Sequence, residues 1–339
     1  MLKIVYSARY QIDIGPHVFP TLKYRLVYEA VVGDGSPLTG EQRPVPVEPQ
    51  PASWDELALV HTPEYLARMC DGTVTSEDIA QLELPWSQEM VDGFRIMVGG
   101  TIDAACLACG VARWGRVSPV RGSETRPHSI VCHIGGGLHH AFPNHGEGFC
   151  PFNDVAVAVR VLERQGIERV AIVDLDVHHG NGTAFIFGDG CPYPGNQTPV
   201  PSLESNTRPR SVFTFSMHQQ HNYPMWKPRG SLDIGLADGA HDDTYLGELA
   251  RGLPKVFAGQ PQCVFYLAGA DPYEDDQLGG LRLTKEGLRR RDRMVIDAAS
   301  AAGAAMVITL AGGYARKVED TVAIHVATIE EAGRAERAG

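Results

Sequence analysis

The stretch RVAIVDLDVHHGNG, residues 169–182, decides how the chain is read. Its apolar part, Val170 to Val173, is short and β-branched, the pattern of a strand buried on both faces. It ends in Asp174 and Asp176, then His178 and His179, then a Gly-Asn-Gly turn. Acids and imidazoles at the end of a buried run are costly unless something pairs with them, and a metal ion is the most economical partner. Side chains alternate along an extended chain, so Asp174, Asp176 and His178 are expected on one side while Leu175 and Val177 pack.

Three further runs share this grammar of apolar residues closed by glycine and a polar group: SIVCHIGGGLHH (129–140), QCVFYLAGAD (262–271) and AAMVITLAGGY (304–314). Between them lie helical patterns. DVAVAVRVLERQG (154–166) stops at Gly166 as a helix C-cap does, and KEGLRRRDRMVIDAASAAG (285–303) carries a triple arginine that reads as a solvated face. In HTPEYLARM (61–69), Thr62 is a natural N-cap and Pro63 a natural first helical residue. Alternating strand and helix predicts an α/β fold with a mainly parallel sheet covered on both faces. Such sheets bind ligands at the carboxyl ends of their strands, where all four runs place their unusual residues. The Gly- and Pro-rich stretches 113–128 and 188–210 instead precede strands, so they are expected at the opposite edge, away from the reactive site.

Composition narrows the function classes. The chain has 339 residues, 43% of them hydrophobic, enough for a large core. With 41 acidic against 30 basic residues its formal charge is −11, which gives no general attraction to nucleic acid or anionic membrane. No apolar stretch approaches the roughly 20 residues that span a bilayer, and MLKIVYSARYQ lacks the pattern of a secretory signal. Seven scattered cysteines form no disulfide framework and fit a reducing cytoplasm. Cys106 and Cys109 form a lone CxxC in an Ala-rich helical stretch and read as packing.

Asp176 and His178 can grip one ion, and Asp271 can supply a third ligand from a neighbouring strand. Two carboxylates and one neutral imidazole balance a divalent cation and leave a position open, the mark of a catalytic zinc site. Asp271 alone, ahead of Pro272, reads equally well as a turn residue; the set together points to the metal.

The chain resembles the zinc-dependent histone deacetylase family, which includes acetylpolyamine amidohydrolases and acetoin-utilisation proteins. The resemblance rests on GGGLHHAFPNHGEGFCPFND (135–154), VDLDVHHGNGT (173–183), FTFSMH (213–218), GADPYEDDQLGGL (269–281) and AGGYAR (311–316), in the family's order. With KIVYSARY and HTPEYL these cover nearly the whole chain, and the short N-terminal region and DQLGGL look most like the class IV branch and its bacterial relatives. The resemblance implies one domain of the arginase and deacetylase fold, residues 1–331, with 332–339 a C-terminal tail. It implies zinc on Asp176, His178 and Asp271, His140 as general base beside His139, and Tyr314 as the oxyanion donor. It also implies a potassium ion held by Asp174 and Ser216 with the backbone carbonyls of Asp176, His178 and Met217; Asp174 would then also orient His139. Phe149 and Tyr223 match the walls of the acyl-lysine tunnel, the Gly148 carbonyl a substrate contact, Leu278 the rim, and Glu83 a rim acid. Asn181 stands where class I has an acid: it accepts a hydrogen bond from His140 but adds no charge.

The expected activity is therefore zinc-dependent removal of an acyl group from acyl-lysine, in a peptide or protein or a small N-acyl amine, with no nucleic-acid or membrane partner and with oligomerisation open. The rivals are an acetylpolyamine hydrolase, which would want an acidic enclosed entrance, and a non-catalytic acyl-lysine binder, which would need a broken site.

Overall fold

A computed structural model of the chain describes residues 1–34, 36, 40, 43–113, 129–188 and 212–338. Apart from Arg113 and Gly188, the two stretches expected as loops lie outside the described residues, as does Cys191.

Among the described residues eight strands form one sheet: β1 Lys3–Val5, β2 Val45–Val47, β3 Ile130–His133, β4 Val170–Asp174, β5 Val212–Gln219, β6 Leu232–Leu236, β7 Cys263–Leu267 and β8 Ala305–Thr309. Every neighbouring pair is parallel, in the order β2-β1-β3-β8-β7-β4-β5-β6. The four apolar runs of the sequence are β3, β4, β7 and β8, buried along their whole length, and they stand side by side in the middle of the sheet. Their carboxyl ends thus meet on one edge. The edge strand β6 alternates exposed and half-buried residues, so no continuous apolar run marks it.

Among the described residues ten α-helices accompany the sheet: α1 Leu22–Val32, α2 Trp54–Leu57, α3 Pro63–Asp71, α4 Ser76–Leu82, α5 Gln88–Cys109, α6 Asp154–Arg164, α7 Asn181–Phe187, α8 Asp242–Phe257, α9 Lys285–Ala301 and α10 Val318–Ala338. The Thr62 hydroxyl caps α3 by accepting from the Tyr65 N–H at 3.3 Å, with Pro63 in the first turn. Helix α6 ends at Arg164, and Gly166 takes the left-handed φ of 84° just beyond its cap. Cys106 and Cys109 sit in the last turn of α5, and the six described cysteines are all free. Among the described residues no helix is long and apolar enough to cross a membrane.

Two expectations are corrected. The triple arginine is not a solvated face throughout, because Arg291 is fully buried. It shares the inward stripe of α9 with Leu288 and Val295, three residues before and four after it, while Arg289 and Arg293 point outward to Glu331. Residues 332–338 are not a tail: they continue α10, with Ala332 and Ala335 buried, and the Glu336 carboxylate accepts the first N–H of β3, from Ile130, at 2.9 Å.

Candidate metal site and catalytic pocket

Strand β4 leaves the ladder after Asp174, so side-chain alternation along a strand does not by itself position Asp176 and His178. Backbone donors do. The His178 N–H donates to Asp176 Oδ1 at 3.0 Å, the Gly312 N–H to Asp176 Oδ2 at 2.8 Å, and the Val177 N–H to Asp271 Oδ1 at 2.9 Å. The ends of β4, β7 and β8 are thereby tied into one knot. Glycine is required at 312, where a Cβ would lie 2.0 Å from Asp271 Oδ2.

Asp176, His178 and Asp271 are all buried and offer ligand atoms within 4.8 Å of one another. His178 Nδ1 lies 3.0 Å from Asp176 Oδ1 and 3.4 Å from Asp271 Oδ2. Bonds of about 2.0–2.1 Å to a tetrahedral zinc put its ligand atoms about 3.3 Å apart, so the two distances from His178 Nδ1 are already close to the separation such an ion requires. Asp271 Oδ2 has no hydrogen-bond partner. Burial and the neighbouring Asp176 push the Asp271 pKa up to about 7, the signature of a pocket with more buried negative charge than the protein answers. The donor set, the spacing and the orphaned oxygen fit a divalent cation.

The tandem histidines enter on the glycine turn after β3. Gly136 and Gly137 have φ of 71° and 80°, and the buried Asp154 carboxylate fixes the turn by accepting the N–H groups of Gly137 at 3.0 Å and Leu138 at 2.7 Å. His139 Nδ1 donates to Asp174 Oδ2 at 2.7 Å, and the Nε2 atoms of His139 and His140 lie 3.1 Å apart. Burial works against the charged form of His139, but Asp174 and Asp176 outweigh it and hold its pKa up at about 9. His140 goes the other way: burial, then His139 and His178, push its pKa well below the usual value. The two neighbouring imidazoles are thus pushed in opposite directions, His139 toward its charged form and His140 toward its neutral one.

His140 Nδ1 donates to Asn181 Oδ1 at 2.7 Å. Asn181 Nδ2 donates in turn to Glu147 Oε1 at 2.7 Å, and the Tyr223 hydroxyl donates to the same oxygen at 2.9 Å. Glu147 is one foot of a tight turn closed by two backbone bonds to Cys150, with Gly148 and Phe149 at its tip at φ of 51° and 66°.

Phe149, Gly148, Tyr314, both histidines, Asp176 and His178 line one narrow pocket. Tyr314 packs 6.2 Å from the Phe149 ring, and its N–H donates to Asp276 Oδ2 at 2.7 Å. The other Asp276 oxygen accepts the Leu278 N–H at 2.8 Å, so a single carboxylate holds the backbone of both Tyr314 and Leu278. Tyr223 lies edge-on to His140 at 5.1 Å and is joined to Leu278 through Asn222. Glu83 ends α4 in a left-handed conformation; its carbonyl is 3.0 Å from His17 Nε2, and the His17 ring stands edge-on to Phe149. On the far side Asp174 and Ser216 are register partners across β4 and β5, with Met217 fully buried beside them. The structure therefore brings His139, His140, Gly148, Phe149, Asp176, His178 and Tyr314 together on one pocket, with Asp271 beside Asp176 and His178, whereas Tyr223, Leu278 and Glu83 are not among the residues that line it.

Several contributors carry no signal in the sequence. The buried Lys23 ammonium donates to the Ala311 carbonyl at 2.7 Å, just before the Gly-Gly-Tyr turn, and burial lowers its pKa to about 8. Arg291 donates from beneath to the carbonyls of Gly269 at 2.6 Å and Leu175 at 3.4 Å, next to two of the metal-type ligands. The Asp276 carboxylate lies inside a recognised motif, yet only the fold reveals which backbone it holds.

With this geometry the comparisons with known proteins agree. Residues 17–329 match the family described as the histone deacetylase domain, and the chain belongs to that family. It is 39% identical to an uncharacterised protein of a Picosynechococcus strain over 95% of both chains. It is 27% identical to histone deacetylase 2 of Arabidopsis thaliana, over 98% of this chain and 79% of that one. A histone deacetylase-like amidohydrolase of Pseudomonas aeruginosa is 28% identical over 78% of this chain and 64% of its own. Among solved structures, an HDAC homolog complexed with SAHA has the same fold at a TM-score of 0.75, with 21% identity over 98% of this chain and 84% of that one.

Proposed function

We propose that the protein hydrolyses N-acyl amides of primary amines, with acyl-lysine side chains as the substrate class and zinc as the resident metal. The observation that carries this reading is the convergence of the Asp176, His178 and Asp271 ligand atoms with the tandem histidines and Tyr314 on one pocket. A zinc ion held there would supply Lewis acidity to the amide carbonyl and lower the pKa of a water.

The chain's own residues do the rest. His140, neutral in its buried setting, takes the proton of the attacking water at Nε2. His139, charged against Asp174, delivers a proton to the departing amine. Tyr314 donates its phenolic hydrogen to the carbonyl oxygen as charge develops there; burial above all keeps that phenol protonated. Phe149 and Tyr223 flank the acyl chain, the Gly148 carbonyl accepts the substrate N–H, and Leu278 and Glu83 border the entrance. Potassium on Asp174, Ser216 and the carbonyls of Asp176, His178 and Met217 would stiffen the strand ends; the pairing of Asp174 with Ser216 supports this.

A turnover panel tests the reading: acetyl-, butyryl-, octanoyl- and myristoyl-lysine peptides beside acetylspermidine, with elemental analysis for zinc and potassium. Turnover of at least one lysine peptide with one zinc per chain is the expected result. Turnover of acetylspermidine alone would replace the substrate class, and a metal-loaded protein inert to the whole panel would remove the hydrolase assignment.

A further inference from the structure

We propose that Glu147 is a positioning residue for the general base: acting through the Asn181 amide, its carboxylate fixes the tautomer of His140 and supplies the negative charge that Asn181 lacks. The proposal rests on the amidohydrolase reading for its kinetic consequence and on geometry for its substance. A carboxylate oxygen only accepts hydrogen bonds, so at 2.7 Å from Glu147 Oε1 the nearer Asn181 atom must be the donating Nδ2. The amide is then turned with Oδ1 toward His140, 2.7 Å from Nδ1. Because Oδ1 also only accepts, the hydrogen of the neutral imidazole resides on Nδ1. Nε2 is left carrying the lone pair, on the side that faces the pocket and His139, whose Nε2 lies 3.1 Å away and donates to it when His139 is charged.

The charge travels by the same route. An amide whose N–H donates to an anion becomes a stronger acceptor at its oxygen, since linked hydrogen bonds polarise one another. His140 has few other sources of support: it lies beside His139 and 6.0 Å from the His178 ring, both of which oppose its protonation. Glu147 itself is held by three partners, Asn181, Tyr223 and, at 3.4 Å, His145 Nε2. These bonds outweigh its burial and keep its pKa below the ordinary value, so the relay ends on a carboxylate and not on an acid. Since one oxygen accepts from both Asn181 and Tyr223, the same carboxylate fixes a tunnel wall relative to the base.

Glu147→Gln is the discriminating substitution. It keeps the shape and an oxygen acceptor for Asn181 and Tyr223, removes the charge, and otherwise gives up only the long contact of the second oxygen with His145. On the best lysine substrate, the expected result is a kcat about tenfold lower, a fraction of the roughly 10²–10⁴ that a general base contributes. KM should stay within about twofold and metal content should be unchanged. Adding Asn181→Asp to that variant moves the charge one residue inward and should restore kcat to within about threefold of wild type. A kcat unaffected by Glu147→Gln, or a metal-loaded double variant no better than the single one, would overturn the proposal. A second readout is independent of turnover. In protein labelled with 15N-histidine, the His140 Nδ1 proton should resonate farther upfield in Glu147→Gln than in wild type and return downfield in the double variant; an unmoved resonance overturns the relay even if no acyl amide proves to be a substrate.

Discussion

Two clusters of buried charge in this protein are built in opposite ways. Glu331, its side chain 1% exposed, accepts from Arg289 Nε at 2.7 Å, Arg293 Nη2 at 2.8 Å and Arg334 Nε at 2.8 Å. At the other cluster Asp271, 0% exposed, shares its space with Asp176 and a single imidazole, and one of its oxygens accepts nothing. The first carboxyl is held down at about 2, chiefly by Arg293, and the second is pushed up to about 7 by burial and its acidic neighbour. Where the protein supplies the counter-charge, a buried acid joins helices; where it withholds it, the acid waits for a cation.

The largest test of that contrast removes a ligand. Asp176→Ala leaves two ligands, too few for a tight site, so metal content should fall from one ion per chain to near zero and turnover should become undetectable. Full zinc in that variant by elemental analysis would place the metal elsewhere.

Arg291 is a third case, a buried cation answered by Asp292 at 2.8 Å and by the two carbonyls beneath the ligands. Arg291→Met leaves the buried Asp292 carboxylate without a counter-charge, held only by the Tyr266 and Thr328 hydroxyls, and the expected loss in urea unfolding is about 3–5 kcal/mol, with partial recovery on adding Asp292→Asn. A loss below about 1 kcal/mol would show that the guanidinium is not what secures the strand ends.

Tyr314→Phe should keep both fold and metal and lower kcat by about 10²–10³, equal to about 2.7–4 kcal/mol of transition-state stabilisation. The deficit should shrink on a trifluoroacetyl-lysine peptide, whose electron-poor carbonyl needs the donor less. Equal deficits on both substrates would mean that the ring only packs.

The smallest effect belongs to Glu331. Its folded pKa of about 2 lies below the ordinary 4.5, so its contribution is present above pH 4.5 and is lost as the pH falls toward 2. Its arginines keep 36–46% of their side-chain surface exposed, and with that screening the contribution is about 1–2 kcal/mol. Glu331→Gln should lower stability by that amount at pH 7, and the gap from wild type should close between pH 4.5 and 2. A gap that does not change with pH would mean that packing, not charge, holds the two helices there.

How much of this was legible in the sequence follows from the same physics. Strands β3, β4, β7 and β8 read clearly because burial on both faces leaves continuous apolar runs; β1 and β2 are three residues each, too short for any pattern. The ligands, tandem histidines and Tyr314 were legible because they close such runs. Lys23 and Arg291 were not: a charged residue on a helix reads as surface, and the carbonyls they hold arrive from loops 288 residues away for Lys23 and 22 and 116 residues away for Arg291. Glu147 escaped for a related reason, since its meaning depends on Asn181, which arrives from the end of another strand 34 residues later.

The position of β8 bears on how the chain is made. The last strand in sequence is inserted between β3 and β7, in the middle of the sheet. Until residues 305–309 have left the ribosome, two apolar strands each show an open edge with no partner of their own, the kind of surface that recruits chaperones or other nascent chains. A chain stopped at residue 304 is therefore expected to be trapped in aggregates, whereas the same halves become soluble when residues 305–338 are supplied.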